Sequence, residues 1–170
     1  MKINYLNQIQ TQAYPAFINS NDNIFLGASE GAGKFSLAVL AMSQVLQQGK
    51  KAVLLVSHEV IAQKKTQLLT RLFPKKKVAR TFEDLTKDAQ VLAAADLIVA
   101  TAQAWDVLSR RWSKRKGFSD VKLLVVDNLH LLTEDSSTLE VVISRMRYIS
   151  SENSGGGRLI CLSSSLADFR

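Results

Sequence analysis

The segment from Asn23 to Ser36 constrains this chain more than any other. A short apolar run, Ile24 to Leu26, reads as a strand; a loop with Gly27, Gly31 and Gly33 follows; Lys34 then opens a helical pattern. Glycines let backbone N–H groups converge on an anion, and the first turn of the helix adds its dipole, so the order strand, glycine loop, lysine, helix makes a phosphate cradle. Such a cradle asks for Ser or Thr directly after the lysine, because that hydroxyl holds Mg²⁺. Phe35 stands there instead, and Ser36, one step later and about 100° further round the helix, points elsewhere. Glu30 also sits inside the loop, where a carboxylate would face phosphates. The segment therefore reads as a P-loop that has lost its metal ligand.

Its 170 residues read as one domain, long enough to bury a proper core. A single cysteine, Cys161, excludes an internal disulfide framework and a zinc set, and its place on a predicted strand makes it an inert buried thiol. No apolar run is long enough to span a membrane and the N-terminus lacks signal-peptide order, so the expectation is a soluble intracellular protein without a membrane partner. The net charge of +7 favours an anionic partner.

Along the chain, strands alternate with helices. Leu6, Ile9, Ala13 and Phe17 fall at helical spacing, predicting a helix over 7–18 that Pro15 should kink or whose true start it should mark. After the P-loop helix, which Gly49 should cap, come a buried strand over 52–56 and a helix over 60–73 stopping at Pro74. A short strand over 78–81, a helix over 83–92, a strand over 97–100 and a helix over 102–112 lead to a basic loop. A strand over 121–126, a helix over 139–149 and a strand over 158–162 complete the pattern. This alternation argues an α/β fold, a parallel sheet with helices on both faces, whose ligands bind at the carboxyl ends of strands. Gly27, Ser57, Thr101, Asp127 and Ser163 all lie at such ends.

The second chemical motif is Leu123-Leu124-Val125-Val126-Asp127-Asn128-Leu129-His130. Apolar residues ending in aspartate, roughly ninety residues after the lysine, form a Walker B strand whose carboxylate would hold Mg²⁺. The next residue in hydrolysing relatives of this pattern is a glutamate that activates water. Here it is Asn128, and an amide takes no proton at neutral pH, so general-base chemistry is lost.

Asp127-Asn128-Leu129-His130 resembles a worn DExH box. Thr101-Ala102-Gln103-Ala104-Trp105-Asp106, with Val107-Leu108-Ser109-Arg110-Arg111-Trp112 after it, is similar to the TPEKWD-ILSRRW run of large DExH-box RNA helicases. The stretches 140–150, 162–167 and 6–12 extend the match over nearly the whole chain, and the SRRW and SRMRYIS runs are far more specific than the P-loop. The nearest resemblance is to the two-cassette helicases of the spliceosomal U5 type, which unwind paired small nuclear RNAs, and within them to the first RecA-like domain of the C-terminal cassette, whose motifs are degenerate.

That resemblance implies a RecA-like P-loop domain over 1–170, the N-terminal half of a helicase cassette, with the second RecA-like domain absent. It implies ATP and Mg²⁺ as cofactors, with binding here weak or lost. Gln10 would read adenine; Ala28, Gly31, Ala32, Gly33 and Lys34 would contact the nucleotide; Asp127 would bind the metal. His130 would couple the nucleotide to the far domain, as would Ser163 and Ser165, while Ser57 and Thr101 would touch RNA backbone. Implied partners are RNA, the second RecA-like domain and other cassette, and spliceosomal proteins in the nucleus. Phe35, Asn128 and Ala102, where proline is usual, depart from the family, and the first two strike the metal and the water.

The crowded cations Arg110, Arg111, Lys114, Arg115 and Lys116, and the cluster Lys75, Lys76, Lys77 and Arg80, read first as solvated faces. Trp105 and Trp112 read as packing residues and His58 as a loop residue. The functional expectation is a pseudo-ATPase cassette that serves as a regulatory or protein-docking platform. An active ATP-driven RNA helicase domain and a related two-cassette helicase outside splicing stand beside it. An unrelated P-loop kinase would need the intact Lys-Ser/Thr pair.

Overall fold

The computed structural model describes residues 5–114, 117–131, 136–152 and 156–164. Six strands alternate with six helices among them: α1 (Gln8–Asn19), β1 (Ile24–Gly27), α2 (Lys34–Gln47), β2 (Lys51–Val56), α3 (Glu59–Leu72), β3 (Val78–Arg80), α4 (Leu85–Ala94), β4 (Leu97–Thr101), α5 (Ala102–Ser109), β5 (Val121–Val126), α6 (Ser136–Glu152) and β6 (Arg158–Ser163). The strands form one parallel sheet in the order β1-β6-β5-β2-β4-β3.

Alternate side chains on each strand point to opposite faces, and here both faces are roofed. Ala52, Leu54 and Val56 pack with Phe17, Met42 and Leu69 under α1, α2 and α3. Val53 and Leu55 pack with Leu92, Trp105 and Met146 under α4, α5 and α6. Burial on both sides is why β2, β4 and β5 read as continuous apolar runs rather than alternating ones. The α/β expectation with helices on both faces is borne out.

Element ends differ from the periodicity reading for local reasons. Pro15 does not set the start of α1: Asn7 caps it by accepting from the Gln10 N–H at 2.8 Å, and Gln10 Oε1 accepts the Asn7 N–H in return at 3.1 Å. That capping box fixes the first turn seven residues before Pro15 can matter. Glu83 does not open α4, because its φ of 58° is left-handed; Asp84 caps the helix instead, accepting from Thr86 and Lys87. The helix predicted over 102–112 ends at Ser109, and a 3-10 turn over Trp112–Lys114 follows, in which Trp112 meets Tyr148 edge-on at 6.1 Å. Gly49, at φ 71° with its N–H bonded to the Leu46 carbonyl, does close α2.

α1 is docked at its far end by Arg158, whose guanidinium donates to the carbonyls of Ala16, Phe17 and Asp22 at 2.7–2.8 Å. A cation at a helix C-terminus satisfies orphan carbonyls and complements the dipole. Arg158 lies on β6, so the same strand that flanks the P-loop strand also holds the helix that leans over it.

Candidate functional site

The glycine loop leaves the carboxyl end of β1 and feeds α2. Gly31 and Gly33 stand at φ 77° and 78°, a conformation L side chains rarely adopt. A Cβ at Gly33 would also collide with the Gln10 amide. Gln10 donates from Nε2 to the Gly33 carbonyl at 3.2 Å, and Asn7 donates from Nδ2 to the Ala32 carbonyl at 3.0 Å. The front of α1 thus lies on the loop, and Gln10 is buried there. The start of the loop is tied to β6 by the Ala28 N–H, which donates to the Ser163 carbonyl at 3.2 Å. Lys34 is buried, and its ammonium donates to the loop's own carbonyls, Ala28 at 2.5 Å and Ser29 at 2.8 Å. An entering phosphate must compete with those two bonds.

Across a cleft of about 430 Å³ from this loop lie Asp127 and Asn128. Asp127 is buried at the end of β5, its N–H bonded to the Leu55 carbonyl at 3.0 Å. Its carboxylate oxygen Oδ2 lies 2.6 Å from the Lys65 ammonium, which reaches in from α3. The same ammonium stands 3.4 Å from the centroid of the Phe35 ring. The 2.6 Å contact is an ion pair outside good hydrogen-bond alignment, and Oδ2 has no aligned donor among the described residues. Phe35 is half-buried against the apolar core beneath α2 and α3. Asn128 holds φ 53°, and His130 accepts at Nδ1 from the Ser164 N–H at 3.0 Å, which leaves the proton on Nε2. That Nε2 is 4.0 Å from Glu30, a side chain 85% exposed.

The family model described as DEAD/DEAH box helicase matches residues 7–169. The chain belongs to the DEAD/DEAH box helicases. Over 173 residues it is 40% identical to the U5 small nuclear ribonucleoprotein 200 kDa helicase of Drosophila melanogaster, covering 96% of the chain and 8% of that protein. The human protein of the same name is 37% identical, covering 99% and 8%. The activating signal cointegrator 1 complex subunit 3-like protein of Dictyostelium discoideum is 38% identical, covering 96% and 8%. The chain therefore spans about a twelfth of the length of these relatives. Among solved structures, the helicase MrfA superposes with a TM-score of 0.82 at 19% identity, covering 97% of this chain and 28% of that one, a likeness of fold.

Helicases of this family bind ATP with Mg²⁺, and the cleft of this helicase domain fits the two unequally. Gly31, Gly33 and Lys34 line the cleft, while the Gln10 amide is held on the Gly33 carbonyl and the Asn7 N–H behind the loop. The donor set does not fit a divalent cation: Mg²⁺ demands six oxygens in octahedral array, whereas Phe35 offers none and Asp127 is already paired with an ammonium. Among the described residues no three His, Cys, Asp or Glu side chains converge.

Ser57, Thr101, Ser163 and His130, also expected at the site, do not line this cleft. Ser57 and Thr101 end the neighbouring strands β2 and β4 and are buried; the Thr101 hydroxyl caps α5 by accepting from the Ala104 N–H at 3.2 Å. The Ser163 hydroxyl is buried without a hydrogen-bond partner among the described residues. Ser165, Arg115 and Lys116 lie outside the described residues. The helicase runs used for recognition meet each other: Asp106 accepts from Arg110 Nη2 at 2.6 Å and from Arg145 Nη1 at 2.7 Å, and Arg145 also donates to Ser109 Oγ at 2.8 Å. Trp105 is fully buried beside Phe118, and Lys76 donates to the last-turn carbonyl of Leu46, so part of the basic crowd is structural. Burial pushes the Cys161 thiol up to about 11, which keeps it unreactive.

Lys65 is the residue that sequence reasoning missed. Nothing in Gln63-Lys64-Lys65-Thr66 sets it apart. The only hint was an aromatic ring in a phosphate cradle, a place where a ring wants a cation.

Proposed function

We propose that this chain is the first RecA-like domain of the C-terminal, degenerate cassette of a spliceosomal-type DExH-box RNA helicase, and that the cassette is a pseudo-ATPase acting as a regulatory and protein-docking platform in the nucleus. The observation that carries this reading is Asn128, an amide beside Asp127 where hydrolysis needs a base. The one further carboxylate on the cleft, Glu30, is largely in water. Loss of one acid–base group lowers a rate by about 10²–10⁴-fold, enough to leave turnover near background. In this reading Ser57 and Thr101 remain the residues nearest RNA backbone, and His130 and Ser163 join the nucleotide loop to the neighbouring strand ends.

The preserved glycines, Lys34 and Asp127 favour the second reading, an active domain. Single-turnover ATP hydrolysis by the full-length protein, with and without Lys34→Ala in this stretch, separates them. The expected outcome is unchanged hydrolysis and RNA unwinding in the Lys34→Ala protein. A component of turnover abolished by Lys34→Ala would overturn the pseudo-ATPase reading.

A further inference from the structure

Three side chains from three elements meet at the mouth of the cleft: Phe35 at the start of α2, Lys65 in α3 and Asp127 at the end of β5. The Lys65 ammonium lies 2.6 Å from the Asp127 carboxylate and 3.4 Å from the Phe35 ring centroid. Its side chain is only 21% exposed, so this is not a surface lysine passing over a ring. In a hydrolysing P-loop site the same aspartate and the residue after the P-loop lysine hold a divalent cation between them and the phosphates. Here one carries a π face and the other a carboxylate, and a monovalent cation sits against both.

We propose that Lys65 is a resident cation that has replaced the divalent metal, so that this cleft takes a nucleotide polyphosphate without metal. The proposal rests on the pseudo-ATPase reading and accounts for Phe35, the departure that strikes the metal. Phe35 removes the oxygen a metal needs and supplies the quadrupole an ammonium prefers. A metal entering this position would have to expel a like charge from Asp127 and would find no oxygen on Phe35. An ammonium has three donors, so Lys65 can meet a phosphate oxygen while staying beside Asp127 and the ring. Lys34 and Lys65 set two ammonium groups in the cleft against Asp127 and the largely solvated Glu30, so an anion meets two cations there without metal.

The test is calorimetric titration of ATP into the folded chain in excess Mg²⁺ and in chelator, alongside electron paramagnetic resonance of added Mn²⁺. Wild type is expected to bind ATP equally in both buffers and to immobilise no Mn²⁺. Lys65→Met keeps the aliphatic stem over Phe35 and uncovers Asp127. It is expected to bind ATP about ten- to hundredfold more weakly in chelator, the worth of one charge-assisted bond, and to immobilise Mn²⁺. Lys65→Arg is expected to keep metal independence. Wild-type affinity that falls tenfold in chelator, wild-type Mn²⁺ binding, or no ATP binding in either buffer would each overturn the proposal. These wild-type arms decide the matter even if Lys65→Met does not fold. Metal-dependent binding without turnover would sink the Lys65 assignment alone, whereas metal-dependent turnover would sink the pseudo-ATPase reading with it.

Discussion

Asn128 carries two messages in one residue. Its amide removes a base, and its φ of 53° asks the backbone for a left-handed conformation. Asn and Gly accept that conformation, and most other side chains pay about 1–2 kcal/mol for it. Asn128→Ala is therefore expected to lower unfolding free energy by about 1 kcal/mol, and Asn128→Gly by only a few tenths, read from urea midpoints at constant slope. The chemical message was legible in the sequence, because the residue after a Walker B aspartate has one job. The conformational one was not, since a single Asn beside Asp127 is as compatible with an extended strand end as with a turn. Phe35 shows the same division. Its missing hydroxyl could be read directly, while its cation could not, because Lys65 reaches the ring only after α3 has packed on the sheet.

Among elements, α5 and α6 are joined by a polar clasp inside an apolar layer. Asp106, 6% exposed, is held by Arg110 and Arg145 together. Burial alone would raise its pKa, but the bonds from Arg110 and Arg145 outweigh burial and hold the carboxyl below its ordinary 3.8. A carboxyl depressed in the folded state adds stability that is complete above the unfolded value and disappears as pH falls through the folded one. Asp106→Asn is expected to cost about 2 kcal/mol at neutral pH, less than the 3–5 of a fully buried pair because Arg110 lies largely in water. The gap between variant and wild type should narrow as pH falls below 3.8, through the depressed folded value, in urea titrations repeated down the acid range. The elements themselves were legible where one signal ruled. β2, β4 and β5 are continuous apolar runs, and α2 begins at its lysine and ends at Gly49. The failures at Glu83 and at Arg110 fall where a side chain or a left-handed residue decides the boundary, which periodicity does not see. The clasp was visible only as two sequence runs typical of helicases, with no sign that they touch.

At the scale of the molecule, the strand order divides the sheet into two parts. β5, β2, β4 and β3 come from the unbroken stretch 51–126, while β6 and β1 are added outside them. β1 pairs with β6, and Ile24 lies opposite Ile160, 136 residues further on. Long-range pairings close late because the loop between them costs entropy before any contact rewards it. In pulsed hydrogen exchange during refolding, amides of β2, β4 and β5 are expected to gain protection before those of β1; simultaneous protection would show that the outer pair is part of the nucleus. The same geometry imposes an order on synthesis. At about 5–20 residues per second, Gly27 leaves the ribosome on the order of ten seconds before the Ser163 it must lie beside. Until then the glycine loop has a helix to its C-terminal side but no strand bed, and the carbonyl that will hold Ala28 does not yet exist. Within this domain the phosphate cradle is made well before the strand that gives it a bed.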